Sequence, residues 1–468
     1  MNEAVDSEDS RDVSDVDAVS GIAAKLSPSA EAVMRYIRIL ETGPEYELFQ
    51  EDPFLKRLRS IVRTYRGHLY SDLIERLKHV VALGGVNVIT QRDLESLIDE
   101  LWSLKVSLLS PNELRILHEW LKNPGLSLHE LAARAELSYP QTRRACQRLR
   151  DSGLVRLRSL VNPYAIGFER MLVVLERPTL LLTSPYIEKT FFVDTPKPVV
   201  FMVVLYPREY RQEAVNLMKT LRSTADSVSI WTLSNGAPHF SSLYFTRSRD
   251  HSWTPDMLHL RLMLRQGGEV PVLGDLFASP PSVCRLRAGD IPVIERLTQD
   301  FEAPGAEIGA AAGVSESTVY RIRASLVENN TLLPRLSVNI PALDGRVVAI
   351  LTPSSAARVM SAWSLLPLTY VSRLDSLEER NCARVILHSA LPRGSCAALT
   401  EMVSSEMSMI DEYSVYEMAA GIHRAMPLSL LAGDESHRAR WSSDFFDARS
   451  YGVIRREASP HAIPLDFA

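Results

Sequence analysis

The stretch that decides the fold is "HELAARAELSYPQTRRACQRLRDSGLVRLRSLVNP", residues 129–163. Two short helical patterns flank a tight turn at Leu137, and Ser138 then supplies a residue type that favours helix N-caps. Ala132 is small enough for two helices to approach closely, and Gly153 is the residue type that commonly ends a helix. This order of helix, turn and capped helix is typical of helix-turn-helix modules, and the apolar residues after Gly153 predict a β-wing.

The same pattern occurs a second time in the chain. Residues 306–340, "AEIGAAAGVSESTVYRIRASLVENNTLLPRLSVNI", align without a gap with residues 129–163 at an offset of 177. Identical or similar residues coincide at several positions: Glu130 with Glu307, Leu131 with Ile308, Ser138 with Ser315, Arg144 with Arg321, and Leu149 with Leu326. We therefore expect two tandem copies of one unit to account for most of residues 110–421.

A βαββαβ pattern follows each copy. Between Arg170 and Gly236 the strands are "RMLVVLER", "TFFVDT", "VVFMVVLY" and "SVSIWTL", and the main helix is "REYRQEAVNLMKTLRS". The first helix of this pattern, "SPYIEK", is short and has a weak helical pattern. After the second copy the full order of strands and helices runs from "RVVAILT" to "EYSVYEMAAG". The predicted fold class is α+β: an N-terminal helical domain followed by two repeats of a winged helix-turn-helix and a ferredoxin-like βαββαβ domain.

Composition narrows the class of protein. The 468 residues are 46% hydrophobic and carry a net charge of −5, so any basic surface must be local. The four cysteines show no Cys-x-x-Cys or Cys/His ligand spacing, which predicts incidental thiols and no metal site. No stretch approaches the ~20 apolar residues that a membrane helix needs. We expect a soluble, cytoplasmic protein.

These patterns predict a series of segments along the chain. They are a disordered acidic tail at 1–26, a helical domain at 27–108, winged helix-turn-helix 1 at 109–167, ferredoxin-like domain 1 at 168–247, a linker at 248–284, winged helix-turn-helix 2 at 285–344, ferredoxin-like domain 2 at 345–425, and a C-terminal extension at 426–468. The tail prediction rests on seven acids against one arginine within residues 1–20, because such a segment buries too little apolar surface to fold.

Residues 110–236, and again about 288–421, resemble the Lrp/AsnC family of prokaryotic, notably archaeal, transcription regulators. The matching segments are "AELSYPQTRRACQRLRDSGLV" with the hinge "RSLVNPYAIG", and "GVSESTVYRIRASL" with the shifted hinge "LSVNIPALDG". The resemblance implies winged helix-turn-helix domains joined to ferredoxin-like domains, with a small effector such as an amino acid bound between the latter. Family members usually carry one such unit, so a homo-oligomer and an internal pseudo-dimer both stay open.

The third helix of the first copy is strongly basic. Residues 110–160 hold nine Lys or Arg against five acids, a balance of +4. In the major groove Arg reads guanine, Gln reads adenine, and Tyr or Thr contacts phosphate or the thymine methyl group. The predicted DNA contacts on this helix and its wing are Ser138, Tyr139, Gln141, Thr142, Arg143, Arg144, Gln147, Arg148, Arg156 and Arg158. Ala145, Cys146 and Leu149 are left for the core, and a face that is basic for solubility alone is the alternative.

The second copy is a weaker candidate. Residues 286–340 hold five arginines against seven acids, and Glu316 follows the cap, where its carboxylate would face phosphates. The predicted contacts here are Ser317, Thr318, Tyr320, Arg321 and Arg323, and a purely structural or dimerising domain is the alternative. Because this copy lacks most of the charge of residues 138–150, the scaffold does not require those arginines. Their presence in the first copy favours a partner, and double-stranded DNA is the best candidate.

No motif of enzyme chemistry stands out. The chain has no Gly-x-x-x-x-Gly-Lys loop, His-Glu-x-x-His or nucleophile elbow, and a lone histidine such as His239, His388 or His423 is more often a core or surface residue than a ligand. We expect a sequence-specific transcription regulator that is no enzyme and needs no cofactor. Siroheme decarboxylases resemble the same regulators, so an enzyme of that kind is one alternative. A protein-interaction scaffold whose winged helices do not bind DNA is another.

Overall fold

The structure is a computed structural model. It describes residues 19–42, 58–59, 62, 69–83, 88–245, 253–267, 284, 286–407, 413–431 and 441–460. The chain divides into two compact units, one of Met1–Leu109 with Arg144–Leu154 and one of Ser110–Arg143 with Val155–Ala468. Most of the predicted acidic tail, residues 1–18, lies outside the described residues.

The N-terminal region is helical, as predicted. Its helices are α1 (Pro28–Thr42), α2 (Leu69–Ala82) and α3 (Gln91–Val106). Their apolar faces share one core, in which Ile37 and Ile98 are completely buried. A helical segment at 19–23 adds Ile22 to this core, so the disordered tail predicted at 1–26 is too long. Burial of such an apolar side chain offsets the cost of ordering the segment.

Three helices and a strand then follow in the predicted order. They are α4 (Pro111–Lys122), α5 (Leu128–Arg134), α6 (Tyr139–Asp151) and β1 (Val155–Val161). Capping boxes begin α4 and α5, in which a serine and a glutamate three residues later exchange backbone and side-chain hydrogen bonds: Ser110 with Glu113, and Ser127 with Glu130. These local signals explain why sequence alone located the helices.

One closed sheet organises the larger unit. Within the described residues its strands are β2 (Phe168–Glu176), β4 (Ile187–Thr195), β5 (Val199–Pro207), β6 (Ser227–Leu233), β7 (Ala237–Phe240), β9 (Gly345–Leu351), β10 (Leu368–Ser376), β11 (Ala383–Leu391) and β12 (Tyr413–His423). The order β11-β9-β12-β4-β5-β2-β6-β10 returns to β11, because β10 pairs with both β6 and β11. Eight described strands thus close a barrel, and β7 adds to β10.

The closed barrel corrects the expectation of two separate ferredoxin-like sheets. Each predicted segment contributes four consecutive ring strands, β4-β5-β2-β6 from the first and β10-β11-β9-β12 from the second. Pairing of β12 with β4 and of β6 with β10 joins them. Closure satisfies backbone groups that two open sheets would leave at their edges. Leu172, Phe191 and Phe201 from the first half pack inside the ring against Val348 and Ile386 from the second.

The outer face of the first half has one of the two predicted helices. This is α7 (Arg211–Lys219), which buries Val215 and Met218 against the sheet. The other, "SPYIEK" at 184–189, does not form: β3 (Leu180–Thr183) precedes it, and β4 already begins at Ile187. A helix of six residues has too few internal hydrogen bonds to compete with strand pairing. Within the predicted linker, α8 (Met257–Gln266) follows.

The second helix-turn-helix also forms in the predicted order. Its elements are α9 (Ile291–Gln299), α10 (Gly305–Ala312), α11 (Glu316–Glu328) and β8 (Leu332–Val338). Gly309 on α10 lies so close to the turn that a Cβ there would stand 2.7 Å from the Val314 carbonyl oxygen. Glycine is therefore required where α10 meets the turn before α11.

Among the described residues, three helices cover the second half of the barrel. They are α12 (Pro353–Trp363), α13 (Arg393–Met407) and the linker helix α8. Leu260 and Leu264 of α8 are buried in one core with Val359, Leu387 and Leu399. The segment predicted as a connector therefore contributes a structural layer.

The C-terminal extension completes the first half. It holds α14 (Leu428–Leu431), β13 (Asp447–Ser450) and α15 (Tyr451–Glu457). β13 pairs with β3, and Ile454 of α15 is buried in the core that contains Leu181 and Leu182. This late segment packs on the face where the predicted first helix is missing.

Candidate nucleic-acid interface

The start of α6 is held by a box of side-chain hydrogen bonds. The Ser138 backbone N–H and hydroxyl both donate to Gln141 Oε1, at 3.0 and 2.9 Å, and the Gln141 backbone N–H donates to Ser138 Oγ at 3.4 Å. The side-chain oxygen of Gln141 therefore already accepts hydrogen bonds, while its side-chain NH₂ group takes no part in the box. Reading of adenine by a donor and an acceptor together, which we predicted for Gln141, would require this box to open.

The buried face of α6 agrees with the predicted core. Ala145, Cys146 and Leu149 are all buried. The prediction that Thr142 contacts DNA is wrong, because this side chain is completely buried. Its hydroxyl donates to the Ser138 carbonyl at 3.2 Å. It shares the helix face of Ala145 and Cys146, three and four residues on.

Thr142→Val tests this correction. The change removes one hydroxyl within the helix and keeps the shape of the side chain, so duplex affinity should stay within about twofold and stability within about 1 kcal/mol. Fluorescence anisotropy with a labelled duplex and urea denaturation measure the two quantities. A tenfold loss of affinity with unchanged stability would restore Thr142 as a DNA contact.

The exposed face of α6 carries the predicted basic residues. Arg143, Arg144 and Gln147 are exposed, and Arg148 is half-buried. Gln147 Nε2 donates to Asp151 Oδ1 at 2.8 Å, which engages the acid of this helix. Positive charge therefore dominates the exposed side of the first two turns.

Tyr139 is positioned by its ring. It stacks on His129 of α5 with 4.4 Å between ring centroids and an interplanar angle of 21°. The side chain nevertheless stays exposed. This contact orients the tyrosine at the first residue of α6, before any partner binds.

The predicted wing strand has an unforeseen partner. β1 pairs in antiparallel fashion with β8, from Val155 opposite Val338 to Val161 opposite Leu332. Arg156 and Arg158 lie on the exposed side of β1, where contact with phosphate stays a prediction. Arg158 stands directly opposite Arg335, a like-charged pair that is unfavourable without a compensating group.

The second recognition helix uses several predicted contact residues for its own structure. Ser315 caps α11 by accepting from the Thr318 backbone N–H at 3.3 Å, and its hydroxyl is also 3.0 Å from Ser317 Oγ and 2.9 Å from Thr318 Oγ1. Tyr320 is exposed, and its hydroxyl donates to Glu316 Oε1 at 3.1 Å. These groups already have partners within the helix.

The two arginines of α11 differ in their surroundings. Arg323 is half-buried, with its guanidinium carbon 4.1 Å from the centre of the Phe301 ring. Such a cation–π contact stabilises the domain and holds the side chain in place. Arg321 is exposed, so of the two predicted arginine contacts on α11 it is the one more accessible to DNA.

Sequence reasoning missed one polar link between the helix-turn-helix region and the barrel. Asn162 donates from its backbone N–H to the Thr331 carbonyl at 2.8 Å and from Nδ2 to the Asn330 carbonyl at 3.1 Å. Its Oδ1 accepts from Asn235 Nδ2 at 3.3 Å, next to β6 of the barrel. The Asn-Pro of the hinge was visible in the sequence, but its partners lie far along the chain.

The described residues hold no group of three or more His, Cys, Asp or Glu that is placed to bind a metal ion. None of their helices combines the length and the apolar character that a membrane span requires. Burial lowers the pKa of His239 below its usual value, which favours the neutral form. His388 is buried and His423 exposed.

The segment that holds α4, α5, α6 and β1 matches a family model. Residues 109–161 match the MarR family model. This segment is a MarR-type winged helix-turn-helix. The match supports a winged-helix transcription regulator that binds DNA.

Comparisons with whole proteins reveal only distant likenesses. No curated protein matches the chain. The crystal structure of the siroheme decarboxylase NirDL is 11% identical, with 71% of this chain and 96% of that chain covered and a TM-score of 0.35. The crystal structure of aspartate kinase from Synechocystis is 13% identical, with 65% and 56% covered and a TM-score of 0.21. Neither is similar enough to assign a fold or a function.

Proposed function

We propose that this chain is a sequence-specific transcription regulator of the Lrp/AsnC type, which reads the major groove with α6. The exposed Arg143 and Arg144 at the start of that helix are the proposed base-reading residues, and Arg156 and Arg158 contact phosphate. Family resemblance adds a small effector. The protein acts in the cytoplasm by binding, without catalysis. The match of residues 109–161 to the MarR family supports the DNA-binding part of this proposal.

The proposal includes an internal pseudo-dimer, and the pairing of β1 with β8 is the observation that carries it. The two copies are offset by 177 residues, so Val155 corresponds to Leu332 and Val161 corresponds to Val338. Exchanging the copies therefore converts the pair Val155–Val338 into the pair Leu332–Val161, which is also present. Arg158 therefore faces its own counterpart, Arg335, at the centre of the ribbon. Two identical strands around a twofold axis have this register in a symmetric dimer. Here both strands belong to one chain.

Backbone conformations support the same correspondence of copies. Glu136 has a φ of 54° and Gly313, 177 residues later, a φ of 70°. Gly153 has a φ of 72° and Asn330, at the same offset, a φ of 53°. Left-handed backbone thus recurs at the turn before and the turn after each recognition helix. At each of these two turns one copy has glycine and the other copy has a different residue. The fold therefore imposes the left-handed conformation even where no glycine is present.

A pseudo-dimer with unequal charges predicts an unequal operator. Residues 110–160 carry a balance of +4, whereas residues 286–340 carry −2. Phosphate contacts by Lys and Arg supply most of the affinity for DNA. We therefore propose that the first copy supplies most of the affinity, and that one half-site is read more strictly than the other.

Selection of bound fragments from genomic DNA tests this function. We expect the fragments to share one strong half-site, and log Kd to rise steeply with log salt, with a slope of about 0.9 per phosphate contact. Salt-independent binding or fragments without a shared motif would contradict the proposal. The visible spectrum of the purified protein supplies a second readout, since a porphyrin absorbance band would favour the siroheme decarboxylase-like alternative.

A further inference from the structure

A stacked pair of rings occurs in the first helix-turn-helix and has no counterpart in the second. His129 on α5 lies against Tyr139 on α6, with 4.4 Å between ring centroids and an interplanar angle of 21°. At the repeat offset of 177 the equivalent positions hold Ala306 and Glu316. The second copy forms its helices in the same order without this pair. The fold therefore does not require the two rings.

The imidazole of His129 is exposed. Within the described part of the chain neither of its nitrogens takes part in a hydrogen bond or an ion pair, and the stack on Tyr139 is the contact that orients the ring. A stacked ring fixes the plane of the imidazole and leaves the edge with the two nitrogens for another partner. Histidine is also the side chain whose charge changes between pH 5 and 8.

The charged groups next to His129 keep their charge over that range of pH. Glu130 accepts from the Ser127 backbone N–H at 2.8 Å and from the Ser127 hydroxyl at 2.7 Å. These hydrogen bonds hold the pKa of Glu130 below its usual value, so its carboxylate is ionised at both pH 6 and pH 8. Arg134, later in α5, is charged at both values. From α6 the ring of Tyr139 faces the imidazole.

The other histidine of residues 109–161 already has partners. His118 on α4, the helix before α5, has its Nδ1 3.0 Å from the Phe240 carbonyl oxygen and its Nε2 2.7 Å from Lys122 Nζ. Its Nε2 also lies 3.8 Å from Glu119 Oε1. Both ring nitrogens of His118 are therefore engaged within the protein, which leaves His129 as the histidine of this segment that is ready to meet a duplex.

A duplex read by α6 comes within reach of His129. Tyr139 is the first residue of α6, is exposed and belongs to the predicted DNA contacts. Duplex DNA carries about one phosphate charge for every 1.7 Å of its axis, so a ring stacked on Tyr139 lies beside the backbone of DNA that touches the tyrosine. A protonated imidazole offers two N–H donors and a positive charge, and its hydrogen bond to a phosphate is charge-assisted.

We propose that protonated His129 contacts a phosphate of the DNA backbone beside Tyr139 and makes duplex binding stronger as the pH falls. The inference deepens the proposed function and rests on it. Tyr139 orients the imidazole, and at 4.4 Å its ring is also within the range of a cation–π contact with the protonated form. Binding of DNA favours the charged imidazole, so the complex takes up a proton near neutral pH.

Duplex affinity at two pH values tests the contact. Fluorescence anisotropy of the full chain with a selected genomic fragment, at fixed ionic strength, compares pH 6 with pH 8. We expect the parent to bind at least threefold more tightly at pH 6, and His129→Asn to bind within about 1.5-fold at the two values. At pH 6 the slope of log Kd against log salt should be lower by about 0.9 in the variant, the share of one phosphate contact, and at pH 8 the two slopes should agree.

Further variants separate the contact from the structure. His79→Asn replaces another exposed histidine, on α2, and should keep the parent's ratio of affinities. Tyr139→Phe keeps the stacked ring and should keep the ratio, whereas Tyr139→Ala should lower it below twofold. A loss of affinity in His129→Asn that is equal at pH 6 and pH 8 would assign His129 a structural role and overturn the inference.

The outcomes also separate this inference from the proposed function. Duplex binding with the same pH dependence in the parent and in His129→Asn would overturn the inference alone. Absence of duplex binding at both pH values would overturn the regulator proposal, and the inference with it.

Discussion

Replacing Arg143 and Arg144 together with alanine should weaken duplex binding at least tenfold and leave the fold intact. Both residues are exposed on α6, and the core face of the helix consists of other residues. A good contact between an arginine and a base contributes about 1–3 kcal/mol, and about 1.4 kcal/mol corresponds to tenfold in affinity. Fluorescence anisotropy with a selected genomic fragment at fixed salt measures the loss, and far-ultraviolet circular dichroism checks the fold.

A matched charge control separates contact from general attraction. Arg449 and Arg456 are exposed on β13 and α15, so Arg449→Ala with Arg456→Ala removes the same two charges elsewhere. We expect this variant to bind within about threefold of the parent, because distant surface charges are screened at physiological salt. Equal losses in both double variants would mean that net charge alone governs binding, and unchanged affinity in the first would remove α6 from the interface.

The helix-turn-helix segments were predictable because their signals are local. A cap residue, a small residue at a close approach and a turn residue lie within a few positions of one another, as in Ser138, Ala132 and Leu137. Local hydrogen bonds such as the Ser138–Gln141 box depend on that spacing alone. The basic face of α6 followed from the same helical periodicity.

The closed barrel was not predictable, because its decisive contacts are non-local. β12 pairs with β4 although more than 200 residues separate them in the chain. Nothing in the pattern of either strand specifies that partner, since any apolar strand edge satisfies the same rule. The packing of α15 on the barrel was not predictable for the same reason. Ile454 lies in one core with Leu181, although the two residues are far apart in the chain.

Individual side chains were harder to predict than elements. Thr142 was assigned to DNA from its residue type, yet the rotation of α6 about its axis buries it. Arg323 packs over Phe301, which its residue type did not indicate, and its contact with DNA stays a prediction. One helix position corresponds to about 100° of rotation, so a small error in the register of the buried face moves a residue from solvent to core.

The buried pair in the barrel is joined to a recognition helix by a chain of hydrogen bonds. Arg170 bonds to Glu188 and to Asn235, and Asn235 bonds to Asn162. Asn162 in turn donates to the carbonyl of Asn330, just after α11. A change in the barrel interior therefore has a direct polar route to the end of α11. The energetic value of the first link can be measured.

Arg170→Met should lower the free energy of unfolding by about 3–5 kcal/mol, because it leaves the Glu188 carboxylate buried without its counter-charge. The side chain of methionine keeps most of the volume, so the loss of the ion pair dominates over a cavity. Urea denaturation followed by near-ultraviolet circular dichroism at neutral pH measures the change.

The double variant Arg170→Met with Glu188→Met isolates the charge from the packing. Removing both partners of a buried pair often costs little, so this variant should recover most of the stability that the single change loses. A double variant as unstable as Arg170→Met alone would mean that Asn235 or the shape of the arginine, not the pair with Glu188, matters.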